Sequence, residues 1–137
     1  MRKKPDNYFG FAWSDPTEGY SKEYLLSKRG KKEIEKSKKR FKNLRKDQKK
    51  NGFDESEIWD LGSTICSFTL PRLKYFRENL NGHPSDLTIE KWKETLDKMI
   101  FSMEYYLEDN LELNIKESEK IQEGFKLFGI YIQNLWD

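Results

Sequence analysis

The chain has 137 residues, of which 36% are charged and 35% hydrophobic, and its formal net charge is +2. This length fits one hydrophobic core and excludes a chain of several large domains. Nine Phe, seven Tyr and four Trp bury enough area to exclude a disordered polar chain. No apolar run suits a signal peptide or a membrane-spanning helix, so we expect a cytoplasmic protein.

The charges divide unevenly along the chain. Residues 1–52 hold 17 Lys/Arg against 7 Asp/Glu, whereas residues 53–137 hold 9 against 17. Two interpretations stay open: a basic arm that meets an anionic partner, or two oppositely charged surfaces that pair within the protein.

Residues 1–20 are predicted to form an extended aromatic arm. Phe9, Phe11 and Trp13 alternate along it, so their rings would point to one side of an extended segment. The rings either fill grooves on the helical body or form a platform on which nucleic-acid bases stack.

Residues 21–50 are rich in lysine and carry a narrow apolar stripe at helical spacing, which predicts a helix that docks on one face. The helix should end at Asn51-Gly52, and Gly30 is a possible break. The lysines either form a solvated face or contact nucleic-acid or nucleotide phosphates.

The next helix is predicted over residues 55–80. Asp54 and Glu57 have the spacing of a capping box at its start. Pro71 lies inside the apolar pattern, and because it lacks an N–H it predicts a kink or a restart. Cys66 falls on the apolar face and should act as a small buried hydrophobe.

A third helix is predicted near residues 89–110, with Thr88 as its N-cap. One face is apolar and the other acidic. Three glutamates stand four residues apart on the acidic face, where they pair with lysines, stay solvated or, with further oxygen ligands, bind a cation: Glu104, Glu108 and Glu112.

The last helix is predicted over residues 115–135. Asn114 and Glu117 again have capping-box spacing. Gly124 and Gly129 each weaken helix propensity by about 1 kcal/mol, which indicates that a neighbouring element approaches closely at these positions.

These elements define an all-α fold, a bundle of about four helices with a kinked central helix and an extended N-terminal arm. The antiparallel arrangement follows from the short connections. We expect the arm over residues 1–20 and a single helical domain over residues 21–137, in which residues 53–137 form the helical core. So many aromatic residues also make homo-oligomers plausible.

Six short motifs in residues 52–137 resemble a family of small bacteriophage and prophage proteins of unknown function. They are Trp59-Asp60-Leu61-x-x-Thr64, Phe68-x-Leu-Pro-Arg-Leu-Lys-x-Phe76, Asn81-Gly82-His83-Pro84, Leu96-Asp97-Lys98-Met99-Ile100, Glu123-Gly124-Phe125-x-Leu-Phe128 and Leu135-Trp136. The resemblance implies a phage origin and a place in the host cytoplasm. Small phage proteins often act by binding, so it also favours a counter-defence role.

The first hypothesis is a non-enzymatic protein that sequesters a phosphorylated or nucleotide ligand. Arginine forks and lysines suit phosphate, and aromatic rings suit bases. The candidate phosphate ligands are Arg72, Lys74 and Arg77, and the candidate stacking residues are Trp59, Tyr75 and Trp13.

Two further hypotheses stay open: an inhibitor that binds a host or defence protein through an aromatic helical face, and a nucleic-acid-binding protein that uses residues 22–50. An enzyme is not predicted, because one histidine, His83, one cysteine and scattered carboxylates assemble no catalytic pattern. No cofactor and no metal are predicted.

Overall fold

The computed structural model describes residues 3–5, 7–108 and 115–136. All regular structure in this part of the chain is helical, which confirms the all-α class. The five α-helices are α1 (Lys22–Leu26), α2 (Lys28–Asn51), α3 (Leu61–Glu78), α4 (Ile89–Leu107) and α5 (Ile115–Tyr131), and two 3₁₀ turns cover Glu55–Glu57 and Ile132–Asn134.

The chain forms two compact units, residues 1–64 and residues 65–137. We call them the basic unit and the acidic unit, after their predominant charges. The first contains the described part of the N-terminal segment together with α1 and α2, so this segment shares a unit with the lysine-rich helix. The single helical domain of residues 21–137 stays a prediction.

The N-terminal segment of the basic unit is a series of turns and not the extended arm that the alternating aromatics predicted. The N–H of Ser14 donates to the carbonyl of Phe11 at 2.8 Å, and Asp15 begins another turn. The core of this unit is small: Tyr8, Ala12 and Leu44 are buried, and Phe11, Trp13 and Phe41 pack against them.

The lysine-rich segment is two helices, and the break lies at Ser27 and not at Gly30. The Ser27 hydroxyl accepts from the N–H of Gly30 at 3.0 Å and so caps α2. A Cβ at Gly30 would overlap the carbonyl oxygen of Tyr24, which explains the glycine inside α2. Gly52, with φ of 83°, ends the helix in the left-handed conformation, as predicted.

The capping box of Asp54 and Glu57 is present, but it closes a 3₁₀ turn instead of starting the central helix. The helix α3 begins six residues later than predicted, at Leu61. The Asp60 carboxylate accepts from the hydroxyl of Ser63 at 2.6 Å, so a second acidic residue supports the true helix start. Pro71 lies within α3, which runs as one helix to Glu78, and the predicted kink stays a prediction.

The acidic unit has a larger apolar core, formed where α4 packs against α3 and α5. Thr88 caps α4, as predicted, by accepting from the N–H of Lys91 at 3.2 Å. Cys66 is buried here, as its pattern predicted. The fully buried members of the core are Cys66, Leu73, Trp92, Leu96, Met99 and Met103.

The two glycines of α5 differ in their surroundings. A Cβ at Gly124 would overlap the Ser102 hydroxyl and the carbonyl oxygen of Lys98 on α4, so the close approach predicted there is confirmed. Nothing lies within 4 Å of a Cβ at Gly129, where the same prediction was wrong. The predicted cap Asn114 and the glutamate Glu112 lie outside the described residues.

Candidate anion-binding site

The predicted phosphate ligands of α3 are engaged within the acidic unit. Arg77 forms a bidentate pair with Asp97 at 2.9 and 3.2 Å, and this bond raises the pKa of the guanidinium. Lys74 Nζ lies 2.7 Å from Glu104 Oε1. Both cations therefore already have carboxylate partners.

The other two candidates on α3 do not join a pocket with these cations. The guanidinium of Arg72 turns back along its own helix, donates to the carbonyl of Phe68 at 2.7 Å and lies 3.8 Å from the centre of the Phe68 ring. Tyr75 is 70% exposed. None of the four predicted residues of α3 lines either of two cavities that lie in the basic unit.

Trp59 belongs to the basic unit and is part of an aromatic stack. Its ring lies 4.4 Å from that of Phe11, and the guanidinium of Arg40 lies 4.9 Å from the ring centre. The Trp59 ring therefore has a cation beside it, but that cation comes from α2 and not from the predicted residues of α3.

One cavity of the basic unit, the basic cleft, has a volume of about 1550 Å³ and lies between the N-terminal segment and the last three turns of α2. Trp13 stands in its wall. Two carboxylates reach it, Asp15 and Glu57. Its cationic lining residues are Lys3, Lys4, Lys42, Arg45, Lys46 and Lys49.

The four lining cations of α2 share one face because they follow helical spacing. Positions 42, 45, 46 and 49 stand three or four residues apart, and such residues are neighbours on a helix. Within the described part of the chain, no carboxylate lies within ion-pair distance of Lys42, Lys46 or Lys49. The sequence analysis predicted a basic helix but did not single out these four positions as a site. Their helical spacing could have shown that they share one face.

The wall opposite α2 is anchored by a buried polar network. The Tyr8 hydroxyl donates to Asp54 Oδ2 at 2.6 Å and accepts from the N–H of Ala12 at 3.1 Å. The Ser56 hydroxyl donates to Asp54 Oδ1 and accepts from the N–H of Phe11 at 3.2 Å. Burial and the bond to Asp54 raise the pKa of Tyr8 to about 12.

Arg45 and Gln48 hold the wall from the helix side. Arg45 donates to the carbonyl of Ala12 at 2.6 Å, and its guanidinium lies 5.4 Å from the centre of the Trp13 ring. The indole N–H of Trp13 donates to Gln48 Oε1 at 3.1 Å. The cleft is thus pre-formed by specific bonds and not by apolar packing alone.

The two carboxylates of the cleft are both occupied by local bonds. Glu57 is buried, and its Oε2 accepts from the backbone N–H of Asp54 at 2.9 Å as part of the capping box. Asp15 accepts from the hydroxyl and the N–H of Thr17, which lowers the pKa of its carboxyl. Cations therefore outnumber carboxylates among the described lining residues.

A smaller cavity of about 450 Å³ lies elsewhere on the basic unit. Its lining combines Asp47 and Glu55 with three half-exposed apolar side chains, those of Phe53, Ile58 and Trp59. This mixture of acidic and apolar groups contrasts with the basic cleft.

Among the described residues, no cluster of three or more His, Cys, Asp or Glu side chains is placed to hold a metal ion. Glu104 of the acidic row pairs with Lys74 instead. His83 lies in the connection before α4, where its Nδ1 is 2.9 Å from the carbonyl oxygen of Pro84. No described helix is both long and apolar enough to cross a membrane.

Comparison with known proteins found no matching family model, no matching curated protein and no matching solved structure. A function is therefore inferred from the geometry of the basic unit alone.

Proposed function

We propose that the protein is a non-enzymatic binding protein and that the basic cleft holds a phosphate-bearing ligand. The observation that carries this proposal is the group of six lining cations, of which Lys42, Lys46 and Lys49 have no carboxylate partner among the described residues. Lysine and arginine side chains gathered in a concave site raise the local concentration of anions.

Two features distinguish the cleft from an ordinary solvated lysine face. First, its walls are held in place by the Tyr8–Asp54–Ser56 network and by the bond from Arg45 to Ala12, so little ordering remains to be done on binding. Second, it includes an aromatic ring, Trp13, beside the cations. Rings and cations together suit a nucleotide, whose base stacks while its phosphates pair.

The site differs from the one that the sequence suggested. The predicted residues Arg72, Lys74, Tyr75 and Arg77 are replaced in the proposal by the α2 cations of the cleft, because Lys74 and Arg77 already neutralise carboxylates. In a phage, as the resemblance implies, the proposed role of the cleft is to sequester a phosphorylated signal of a host defence.

Isothermal titration calorimetry with a nucleoside triphosphate and with inorganic pyrophosphate tests the proposal. We expect saturable binding that Lys42→Ala/Lys46→Ala weakens about a hundredfold or more, because each of the two lost charge–phosphate hydrogen bonds contributes about 1.5–3 kcal/mol. The matched control is Lys32→Ala/Lys36→Ala, which removes two exposed lysines at the same spacing from another face of α2. No binding of either anion, or equal losses in the two variants, contradicts the proposal.

A second function is favoured by the exposed apolar surface around the smaller cavity. Phe53, Ile58 and Trp59 line this cavity and are each about half exposed, at 50%, 48% and 55%. Grouped exposed apolar side chains are typical of protein interfaces.

We propose that this surface binds a host protein. Trp59→Ala should then abolish co-purification of that partner while it leaves phosphate binding intact, and unchanged co-purification would reject this role.

A further inference from the structure

Three lysines of the cleft belong to a longer row on α2. At 100° per residue, Lys28, Lys31 and Lys38 lie within about 40° of Lys42 around the helix, as do Lys46 and Lys49. All six side chains are exposed. The row therefore extends from the cleft towards the N-terminus of the same helix.

The row is long compared with a small ligand. From Lys28 to Lys49 it covers about 30 Å at 1.5 Å per residue. The cleft itself, at about 1550 Å³, already exceeds the roughly 300–1,000 Å³ typical of small-molecule sites. A mononucleotide would leave the lysines beyond the cleft without phosphate partners, whereas a polyanion would occupy the whole row.

We infer that the ligand of the basic cleft is a single-stranded nucleic acid whose phosphates follow the Lys28–Lys49 row. This inference rests on the proposed function and names its ligand class. Proteins that bind single strands combine a basic groove along the backbone with aromatic rings that stack bases. Here the row supplies the groove, and Trp13 supplies a ring at its end.

A single strand fits better than a duplex because the cleft is a recess between two walls. An unpaired base can turn into the recess beside Trp13 while its phosphate stays on Lys42 or Lys46. In a duplex the bases are stacked inside and only the backbone would meet the row, so the recess and its ring would contribute nothing.

One acidic residue interrupts the row. Glu35 lies on the same face, and its Oε1 is 3.7 Å from Lys38 Nζ. This exposed pair contributes little to stability. A strand that passes over it would meet one negative charge, so Glu35→Gln should tighten binding of a strand without changing the affinity for a mononucleotide.

Fluorescence anisotropy at several salt concentrations tests the inference with four probes: a labelled oligothymidylate of about 12 nucleotides, one of about 4, the labelled mononucleotide and a duplex of about 12 base pairs. We expect the longest single strand to bind most tightly. The row variant Lys31→Ala/Lys38→Ala should weaken it about tenfold and lower its salt slope by about 1.4, at about 0.7 for each lost phosphate contact.

The same variant should leave the affinity for the mononucleotide unchanged, because the cleft is intact. Two results would overturn the inference and leave the proposed function standing. One is equal affinity for the mononucleotide and the longest strand, and the other is tighter binding of the duplex than of the single strand. Failure of all four probes to bind would reject both. Lys32→Ala/Lys36→Ala is again the control, because it removes two positive charges from α2, as many as the row variant, but from another face.

Discussion

The two units differ in how they use their cations. In the acidic unit, Lys74, Arg77 and Lys98 each pair with a carboxylate of another helix at 2.7–2.9 Å. In the basic unit, the cleft lysines of α2 have no such partner among the described residues. Lysine and arginine side chains thus connect helices in the acidic unit, whereas the cleft lysines of the basic unit leave their positive charge exposed to solvent. Only these exposed charges are available to bind an anion.

The units also differ in what holds them together. The acidic unit is stabilised by a continuous apolar core around Trp92 and Leu96. The basic unit has few buried apolar side chains and depends on buried polar groups, with Asp54 only 2% exposed. Substitutions in the polar network should therefore affect both the fold and the cleft of the basic unit.

The broadest effect is expected for Tyr8→Phe, which should lower both the stability of the basic unit and its affinity for anions. The variant removes the hydroxyl that donates to Asp54 and accepts from Ala12, and an unsatisfied buried partner costs about 1–3 kcal/mol. Urea unfolding measures the loss, and anion affinity should fall with it because the cleft wall loosens. Tyr20→Phe, at an exposed ring, is the control; a Tyr8 variant as stable as this control would show that the network does not anchor the wall.

Gly124→Ala should destabilise the acidic unit by about 1–3 kcal/mol, because its methyl group would overlap backbone and side-chain atoms of α4. Gly129→Ala is the matched variant in the same helix, with open space around it, and should stabilise by up to about 1 kcal/mol. Thermal unfolding of the two variants measures the difference. Changes of the same sign would contradict the packing described for α4 and α5.

High pH should weaken the basic unit through Tyr8. Its pKa is about 12 in the folded protein against 10.0 for the free side chain, so the neutral form is favoured by folding. The contribution is complete below pH 10 and is lost as the pH rises towards 12. The unfolding free energy measured across this range should fall more steeply for the native chain than for Tyr8→Phe, and identical profiles would argue against the shift.

The smallest effects are expected for Lys74→Ala and Arg77→Ala. Exposed ion pairs contribute about 0–1 kcal/mol, so both variants should unfold almost like the native chain. Their anion affinity should also stay unchanged, because both cations are already paired. If calorimetry shows that either variant loses much of its anion affinity, the anion site would lie on α3, as the sequence first suggested.

The helices could be predicted because capping residues and apolar spacing act over a few residues. Thr88 caps the start of α4 and Gly52 ends α2, as expected. The start of α3 was missed because two capping sequences follow each other: Asp54 and Glu57 close a 3₁₀ turn, and Asp60 then supports the helix itself. Local spacing cannot decide which of two successive caps starts the longer element.

The site was harder to predict, because a side chain's partner depends on tertiary packing. Nothing in the sequence around Arg77 shows that Asp97 lies beside it, 20 residues later. Likewise, the buried role of Tyr8 depends on Asp54, which is 46 residues away. The composition did indicate a basic segment suited to phosphate. The cleft itself forms because the folded N-terminal segment lies beside the last turns of α2, which the composition does not show.

The most direct test of the central claim is the affinity of the native chain for a single strand of about 12 nucleotides, compared with two double variants. We predict that Lys42→Ala/Lys46→Ala loses at least about tenfold in affinity, because it removes two phosphate contacts of the cleft. Lys32→Ala/Lys36→Ala should bind like the native chain. Equal affinities for all three proteins would contradict the assignment of the site to the basic cleft.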